Sequence, residues 1–164
     1  MLKDLDWYLV YTKPRSESEA KINLERQGFE VLLPKLREQR IVRKRLQWVE
    51  EPLFKRYLFL GGPRQSAWNV VRSTRGAINF VRFGGTMTLV PPTLIESLVQ
   101  MGEVIEAGVP MFTRGQKVRI GVGAFTGLEA IFQMSDGHQR AQVLLYILGV
   151  ETTVTIDVEA LVPV

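Results

Sequence analysis

The chain contains no cysteine, a single histidine and no long apolar run. Without cysteine there is no disulfide framework and no thiolate zinc site, and a reducing cytoplasm fits this composition. No apolar stretch approaches the roughly 20 residues of a membrane-spanning helix, so we expect no membrane contact. The first residues, MLKDLDWYLV, put acids before the apolar run and offer no small-residue cleavage site, which argues against a signal peptide.

Signatures of catalysis are also scarce. The only histidine, His138, adjoins an Asp136-Gly137 turn signal, where a solvated side chain is expected. The stretch KVRIGVGAFTGLEAIF spaces its glycines as G-x-G-x-x-x-G, but a strand follows, not the helix that a phosphate-binding loop must open. The carboxylates show no metal-ligand spacing. We predict no enzyme, no cofactor and no metal site.

Charge divides the chain into two unlike parts. Residues 1–101 hold 17 Lys and Arg against 10 Asp and Glu, a net charge of +7. Residues 102–164 hold 4 against 7, a net charge of −3. A basic first part suits a polyanionic partner such as nucleic acid, and an Arg-rich solvated surface is the alternative that composition leaves open.

Strand and helix signals alternate over the first hundred residues. β-branched and aromatic runs predict strands at Trp7–Thr12, Phe29–Leu33, Tyr57–Leu60 and Ile78–Phe83, and a hairpin over Arg37–Glu51 with its tip near Arg43-Lys44-Arg45. Helices are predicted from a Ser16–Glu19 capping box to Gly28, over Ser66–Thr74 with Ser66 as N-cap, and over Pro92–Gly102. We predict an α+β fold for residues 1–102, an antiparallel sheet with flanking helices.

The second part has a different sequence pattern. Residues 103–113, EVIEAGVPMFT, have no clear period and contain glycine and proline, so we predict a linker. From residue 114 to 164 the short apolar runs KVRI, LEAIFQM, RAQVLLYIL and TTVTIDV predict a small β-barrel.

Two groups of side chains are candidates for binding. The first is aromatic, with Tyr57 and Phe59 on one face of a strand and Tyr11 and Phe54 on or beside strands. It forms either ordinary core or a shallow apolar groove for a partner helix. The second is basic and polar and lies at turns: Lys13, Arg43, Lys44, Arg45, Thr74 and Arg75. Such residues suit phosphate contacts or a solvated face, and spacing does not decide between them.

Four segments, in order, resemble the NusG family of transcription elongation factors: WYLVYTKPR, EPLFKRYLFL, STRGAINFVRFGG and GQKVRIGVGAFTGLEAIF. The resemblance covers essentially the whole chain and is closer to the specialised paralogue RfaH than to general NusG. It implies an NGN-type domain at residues 1–102 and a KOW domain, a small SH3-like barrel, at 114–164.

The resemblance implies that the first domain binds the clamp helices of the largest subunit of bacterial RNA polymerase. Residues matching that surface are Tyr11, Phe54, Tyr57 and Phe59. Ala67, Trp68 and Asn69 match a contact to the opposite side of the polymerase cleft, with altered residue types. The implied protein is a cytoplasmic monomer that suppresses pausing and termination without catalysing a reaction.

RfaH-like members also read an exposed non-template DNA strand in a paused complex. Residues matching that face are Lys13, Asn23, Gln27, Thr74 and Arg75. Asn23 stands where RfaH has a histidine, which changes the expected DNA preference.

An autoinhibited state is implied as well, in which the KOW region folds as a helical hairpin over the polymerase-binding surface. Glu51 and Arg140 match its salt bridge, and Phe132 and Leu144 match its apolar contacts. Gly149 and the β-branched run ETTVTIDV disfavour a helix, so the barrel is predicted to be the more stable isolated fold.

Three functional hypotheses follow. The first is an RfaH-like antiterminator, whose KOW domain could recruit a small-subunit ribosomal protein. The second is a general NusG-like elongation factor that could contact the termination factor Rho. The third is a ribosome- or RNA-binding KOW module, which the basic first part permits.

Overall fold

The computed structural model describes residues 4–63 and 66–106, together with Arg140, Ala141, Leu144, Leu145 and Leu148. The predicted linker beyond residue 106 and almost all of the predicted barrel lie outside the described residues. In the part of the chain that is described, no helix has the length and apolar character needed to cross a membrane.

The elements that the structure defines run in chain order as β1 (Asp6–Thr12), α1 (Glu17–Arg26), β2 (Glu30–Leu32), β3 (Lys35–Val42), β4 (Arg45–Pro52), β5 (Tyr57–Gly62), a 3-10 helix (Trp68–Ser73), β6 (Ala77–Phe80), β7 (Arg82–Phe83), β8 (Thr86–Met87), α2 (Pro92–Met101) and β9 (Val104–Glu106). They form a four-stranded sheet of order β2-β5-β1-β6, a three-stranded sheet of order β4-β3-β9, and the pair β7-β8.

The four-stranded sheet is antiparallel throughout and is covered on both faces. Successive residues of β1 enter different clusters, because side chains alternate along a strand. Leu9 packs with Phe59 and with Leu94 of α2 on one face. Val10 packs with Leu24 of α1 on the other face. This arrangement confirms the α+β organisation predicted for residues 1–102.

Strands β3 and β4 form the predicted hairpin, with Val42 opposite Arg45. The two turn residues, Arg43 and Lys44, have φ of 50° and 64°, the left-handed conformations that a two-residue type I′ turn requires. The hairpin tip therefore lies where the charge run predicted it.

The third strand of this sheet corrects two predictions. Val104–Glu106 pair in parallel with Lys35–Arg37, so these residues are part of the fold, and the predicted linker was wrong for them. The sheet is mixed, not purely antiparallel. A three-residue strand shows no period of its own, and its partner lies about 70 residues earlier, so only the folded chain reveals the pairing.

The predicted Ser16–Glu19 capping box does not form. Ser16 occupies the N-cap position of α1, but its hydroxyl donates to the carbonyl of Pro14 at 3.3 Å and caps no backbone N–H. Glu19 is instead engaged by Arg75 at 2.9 Å. The predicted end of this helix is confirmed, since Gly28 follows it with φ +91°.

Two further elements differ from the prediction. Ser66–Thr74 was expected to be a helix capped by Ser66, but a 3-10 helix begins at Trp68, with Ala67 in the cap position and no side-chain cap. The single strand predicted at Ile78–Phe83 is interrupted at Val81, whose backbone N–H donates to the carbonyl of Leu9 at 2.9 Å.

Candidate functional site

The four aromatic residues predicted to bind the polymerase divide into two pairs. Tyr11 and Tyr57 lie opposite each other on β1 and β5, with ring centres 5.3 Å apart, and both are partly exposed. Phe54 and Phe59 are buried, with ring centres 6.0 Å apart. The tyrosines lie at the surface of the protein, and the phenylalanines form an apolar floor in the core beneath them.

Arg56 completes the tyrosine pair. Its guanidinium lies 4.3 Å from the ring centre of Tyr11, and its Nε donates to the carbonyl of Thr12 at 3.2 Å. The φ of Arg56 is 72°, an uncommon conformation for a residue other than glycine. Burial raises the pKa of the Tyr57 hydroxyl, and Tyr11 adds to that shift while Arg56 opposes it. The Tyr57 hydroxyl is therefore a neutral hydrogen-bonding group at neutral pH.

Residues near the C-terminus cover this apolar floor. Arg140, Ala141, Leu144 and Leu145 are helical, and the N–H of Leu148 donates to the carbonyl of Leu144 at 3.0 Å. Leu144 is fully buried in the cluster that contains Phe54 and Phe59. Leu145 and Leu148 pack against the same cluster and are partly buried.

A buried ion pair accompanies these apolar contacts. Arg140 is fully buried, and its Nη2 lies 2.7 Å from Oε1 of Glu51. Its Nε donates to the carbonyl of Leu53 at 2.7 Å. The two residues are 89 positions apart, so this contact ties the end of the chain to the β4 segment.

Glu51 is the centre of a cationic cluster. Arg40 donates to both of its carboxylate oxygens at 2.7 and 3.2 Å, and Lys55 lies 3.3 Å away. Burial alone raises the pKa of this carboxyl, but the hydrogen bonds from Arg40 and Arg140 and the charge of Lys55 outweigh it and lower the pKa to about 2. Glu51 is therefore ionised at neutral pH.

Five of the predicted DNA-binding residues are brought together between α1 and the turn before β6. The amide of Gln27 donates to the hydroxyl of Thr74 at 2.7 Å, and the amide of Asn23 donates to the carbonyl of Arg75 at 3.1 Å. The backbone N–H of Lys13 donates to the carbonyl of Gly76 at 2.9 Å, which anchors the third segment. The side chain of Arg75 is mostly exposed.

The other three predicted DNA-binding residues are not part of that cluster. Arg43, Lys44 and Arg45 occupy the tip of the β3–β4 hairpin, which belongs to a different sheet. The structure thus divides the predicted DNA-binding set into a polar cluster beside α1 and a basic hairpin tip.

The segment Ala67-Trp68-Asn69 is anchored through its central residue. The Trp68 ring packs on Tyr8, Phe29 and Phe80, with ring centres 5.1, 5.5 and 5.9 Å away. Ala67 and Asn69 are exposed on either side of it. Trp68 is partly buried and anchors the segment, while its two neighbours are exposed. Phe132, the remaining predicted interdomain residue, lies outside the described residues.

The geometry presents surfaces for binding. Across the described ranges no group of three or more His, Asp or Glu side chains is placed to hold a metal ion. The comparison with known protein families identifies the family of this chain. Residues 5–99 match the family model described as transcription termination factor nusG.

The chain belongs to the NusG family.

Relatives in the NusG family match over almost the full length of this chain. The transcription termination/antitermination protein NusG of Thermus thermophilus is 30% identical over 183 aligned residues, which cover 93% of this chain and 95% of the relative. The protein of the same name from Lactococcus lactis is 28% identical over 169 residues, covering 94% and 90%. A solved structure described as "Domain interaction in Thermotoga maritima NusG" matches with a TM-score of 0.43 and 23% identity, over 75% of this chain and 69% of that one.

Membership of the NusG family confirms the family predicted from the four segments. It also identifies the chain as a transcription factor of a family that does not consist of enzymes. General NusG factors and RfaH-type paralogues both fit these matches.

Sequence analysis did not single out two residues that contact the candidate site: Arg40, which pairs with Glu51, and Arg56, which lies over the ring of Tyr11. A signal for Arg40 was available, since Glu38 and Arg40 are two positions apart on a predicted strand and must share a face. They form an ion pair in the structure. Arg56 had no such signal, because its position over Tyr11 depends on an irregular backbone conformation between β4 and β5.

Proposed function

We propose that this NusG-family transcription termination/antitermination factor is an RfaH-like, operon-specific antiterminator. It binds the clamp helices of the largest subunit of bacterial RNA polymerase, reads non-template DNA in a paused complex and suppresses pausing and termination. Since transcription in bacteria takes place in the cytoplasm, the protein acts there. It works by binding, and the binding energy biases the polymerase away from paused conformations.

The polymerase contact consists of Tyr11 and Tyr57 above the buried pair Phe54 and Phe59. Partly exposed aromatic rings over an apolar floor suit an amphipathic helix, which buries its apolar face in such a groove. The hydroxyls at the rim supply hydrogen bonds when the rings are desolvated. Ala67 and Asn69, exposed beside the anchored Trp68, contact the opposite side of the polymerase cleft.

The observation that carries the specialised assignment is the helical segment that covers this floor. Leu144 fills the cluster around Phe54 and Phe59, and Arg140 is paired with Glu51 at 2.7 Å. A polymerase helix needs the same apolar floor, so the two cannot occupy it together. The C-terminal part therefore inhibits recruitment until it is released, after which residues 114–164 adopt the KOW barrel predicted from their strand signals.

The DNA face consists of Lys13, Asn23, Gln27, Thr74 and Arg75. Arg75 is mostly exposed and pairs with Glu19 at 2.9 Å, and on DNA binding it exchanges that partner for a phosphate or a base edge. Gln27 and Thr74, already hydrogen-bonded to each other, hold the turn against α1. Binding of DNA here favours the open state only to the extent that DNA binds that state more tightly than the closed one.

The test is binding of the full-length protein to the isolated clamp helices of a bacterial RNA polymerase, measured by calorimetry. Glu51→Gln removes the charge that holds Arg140 and is expected to strengthen binding, because the covering segment is released more readily. Glu50→Gln is the matched control, since Glu50 pairs with Lys35 on the other face of β4. Tyr57→Ala in the Glu51→Gln background is expected to abolish binding.

Two results would contradict the proposal. If folded Tyr57→Ala binds the clamp helices as tightly as the unsubstituted protein, the aromatic surface is not the polymerase contact. If Glu51→Gln and Glu50→Gln have the same affinity as the unsubstituted protein, the covering segment does not compete with polymerase.

A general NusG-like factor is the second candidate, because the matched relatives bear that name. Such a factor acts on elongation complexes irrespective of sequence, and in that case Rho is a further candidate partner. The RfaH-like form instead gives its released KOW domain a role in recruiting a small-subunit ribosomal protein. A stand-alone RNA-binding module would show RNA affinity with a steep salt dependence and no polymerase binding.

A further inference from the structure

The hairpin arm, residues 39–48 at the outer end of β3 and β4, exposes an apolar face. Ile41, Leu46 and Trp48 leave 77%, 65% and 54% of their surfaces exposed. Ile41 lies directly opposite Leu46, and Trp48 lies opposite Gln39, so alternation along both strands brings the three apolar side chains to one face. Clustered exposed apolar groups on a projecting arm add little to the core and indicate a contact surface.

Trp48 is restrained on this face by a cation. The guanidinium of Arg37 lies 4.5 Å from the centre of the indole ring, within the range of a cation–π contact. More than half of the tryptophan surface is still open to a ligand. An aromatic ring that is already oriented loses little conformational entropy when a second flat group stacks on it.

All the charged residues of the same arm are basic. Residues 39–48, QRIVRKRLQW, contain four Lys and Arg and no Asp or Glu. Arg43, Lys44 and Arg45 are exposed at the turn, and none of them forms an ion pair with another described residue. The acids at the base of the hairpin are already occupied, Glu50 by Lys35 and Glu51 by Arg40. The charge at the turn is therefore available to an external anion.

We propose that the hairpin arm binds single-stranded DNA. One unpaired base stacks on Trp48, Ile41 and Leu46 cover the adjoining sugar or base, and the basic turn contacts the flanking phosphates. Aromatic stacking beside a basic track is the combination by which proteins bind single strands without sequence preference. An apolar protein partner would match the apolar face of the arm but not its basic turn. A second copy of the chain would bring an arm of the same positive charge against it.

The inference rests on the proposed function, because a factor that reads one exposed DNA strand has single-stranded DNA beside it. It uses none of the residues in the cluster formed by Lys13, Asn23, Gln27, Thr74 and Arg75. The arm adds affinity without sequence preference, and the polar cluster beside α1 supplies the sequence readout.

The test measures binding of full-length protein to a short fluorescein-labelled oligothymidylate by fluorescence anisotropy. Trp48→Ala is expected to raise Kd about tenfold, the loss typical of one stacked base. Trp48→Phe keeps an aromatic face and is expected to retain most of the affinity. Leu89→Ala removes an equally exposed apolar side chain outside the arm and is expected to leave Kd unchanged. Thermal unfolding of each variant verifies that the fold is kept.

Salt titration tests the basic turn separately. Neutralising Arg43, Lys44 and Arg45 together with glutamine is expected to reduce the slope of log K against log salt by about 2, at roughly 0.7 per phosphate contact on a single strand. An unchanged slope overturns the assignment of phosphates to this turn.

Three outcomes overturn the proposal as a whole. An unchanged Kd for folded Trp48→Ala would show that no base stacks on Trp48. Tighter binding to oligouridylate RNA than to DNA assigns the arm to RNA. A protein dimer that Trp48→Ala dissociates, seen by analytical ultracentrifugation, assigns the apolar face to a second copy. Tyr57→Ala tests the proposed polymerase contact and Trp48→Ala tests the arm, so the two hypotheses are tested by different substitutions and fail independently.

Discussion

At the scale of single residues, the carboxylate of Glu51 is surrounded by cationic side chains. Its carboxylate contacts Arg40, Lys55 and the fully buried Arg140. Burying charges costs several kcal/mol per ion unless the partners are close and well hydrogen-bonded, and here they are. Removing one partner would leave the other charge buried and uncompensated, so this ion pair stabilises the packing of Arg140 against the β4 segment.

The lowered pKa of Glu51 predicts how stability depends on pH. A carboxyl with a pKa near 4.5 when unfolded and about 2 when folded stabilises the folded state above pH 4.5 and loses that contribution as pH falls towards 2. The full shift corresponds to on the order of 3 kcal/mol, shared among three cations. Urea unfolding from pH 5 to about 2 measures it.

The comparison variant is Glu51→Gln, which cannot titrate. The stability difference between the unsubstituted protein and Glu51→Gln is expected to shrink as pH falls through this window. A difference that stays constant from pH 5 to about 2 would show that Glu51 is not held as an ion by these partners.

At the scale of elements, Gly76 determines how closely the turn before β6 approaches α1. Its φ is +93°, and a Cβ at this position would lie 2.8 Å from the backbone N of Ala20 and 3.0 Å from the carbonyl O of Ser16. Those two atoms form a backbone hydrogen bond of the first turn of α1. A glycine here lets Thr74 and Arg75 sit beside the helix.

Gly76→Ala is therefore expected to lower the free energy of unfolding by about 2 to 4 kcal/mol, through strain at positive φ and displacement of α1. Gly28→Ala is the matched control, because its φ is +91° but no atom lies within 4 Å of the added Cβ. Chemical denaturation of both variants measures the difference. Equal losses in the free energy of unfolding would show that contact between the added Cβ and α1 does not destabilise Gly76→Ala.

Element prediction from sequence succeeded where the signal is local. The two-residue turn at Arg43-Lys44, the end of α1 at Gly28 and the apolar period of Pro92–Met101 all lie within a few residues of their causes. Prediction failed at β9 because its pairing partner, β3, is distant in the sequence. It failed at the capping box because the Ser16 hydroxyl donates to the nearby carbonyl of Pro14 and the distant Arg75 engages Glu19.

At the scale of the whole molecule, the proposed closed and open states predict a conditional activity in transcription. In vitro transcription with a bacterial RNA polymerase is expected to show reduced pausing only on templates that carry the recognised non-template element. Glu51→Gln is expected to act on templates without the element as well, since it weakens the contact that holds Arg140. Arg75→Ala is expected to reduce the effect on element-containing templates.

Pausing on templates with and without the element distinguishes an RfaH-like antiterminator from a general NusG-like elongation factor. Equal suppression by the unsubstituted protein with and without the element would identify a general elongation factor. Glu50→Gln is the control for charge removal near the hairpin, because it breaks only the contact with Lys35.

The sequence by itself determined the family, the α+β organisation of residues 1–102 and the side chains available for binding, because these depend on local patterns and ordered segments. Only the tertiary structure decided which of those side chains meet. It separated the partly exposed Tyr11 and Tyr57 from the buried Phe54 and Phe59, and divided the basic residues between two sheets. It also contains the ion pair between Arg140 and Glu51, 89 positions apart, that the family resemblance had implied and that no local pattern predicts. Contacts of that separation depend on how sheets and helices pack, which no short stretch of sequence encodes.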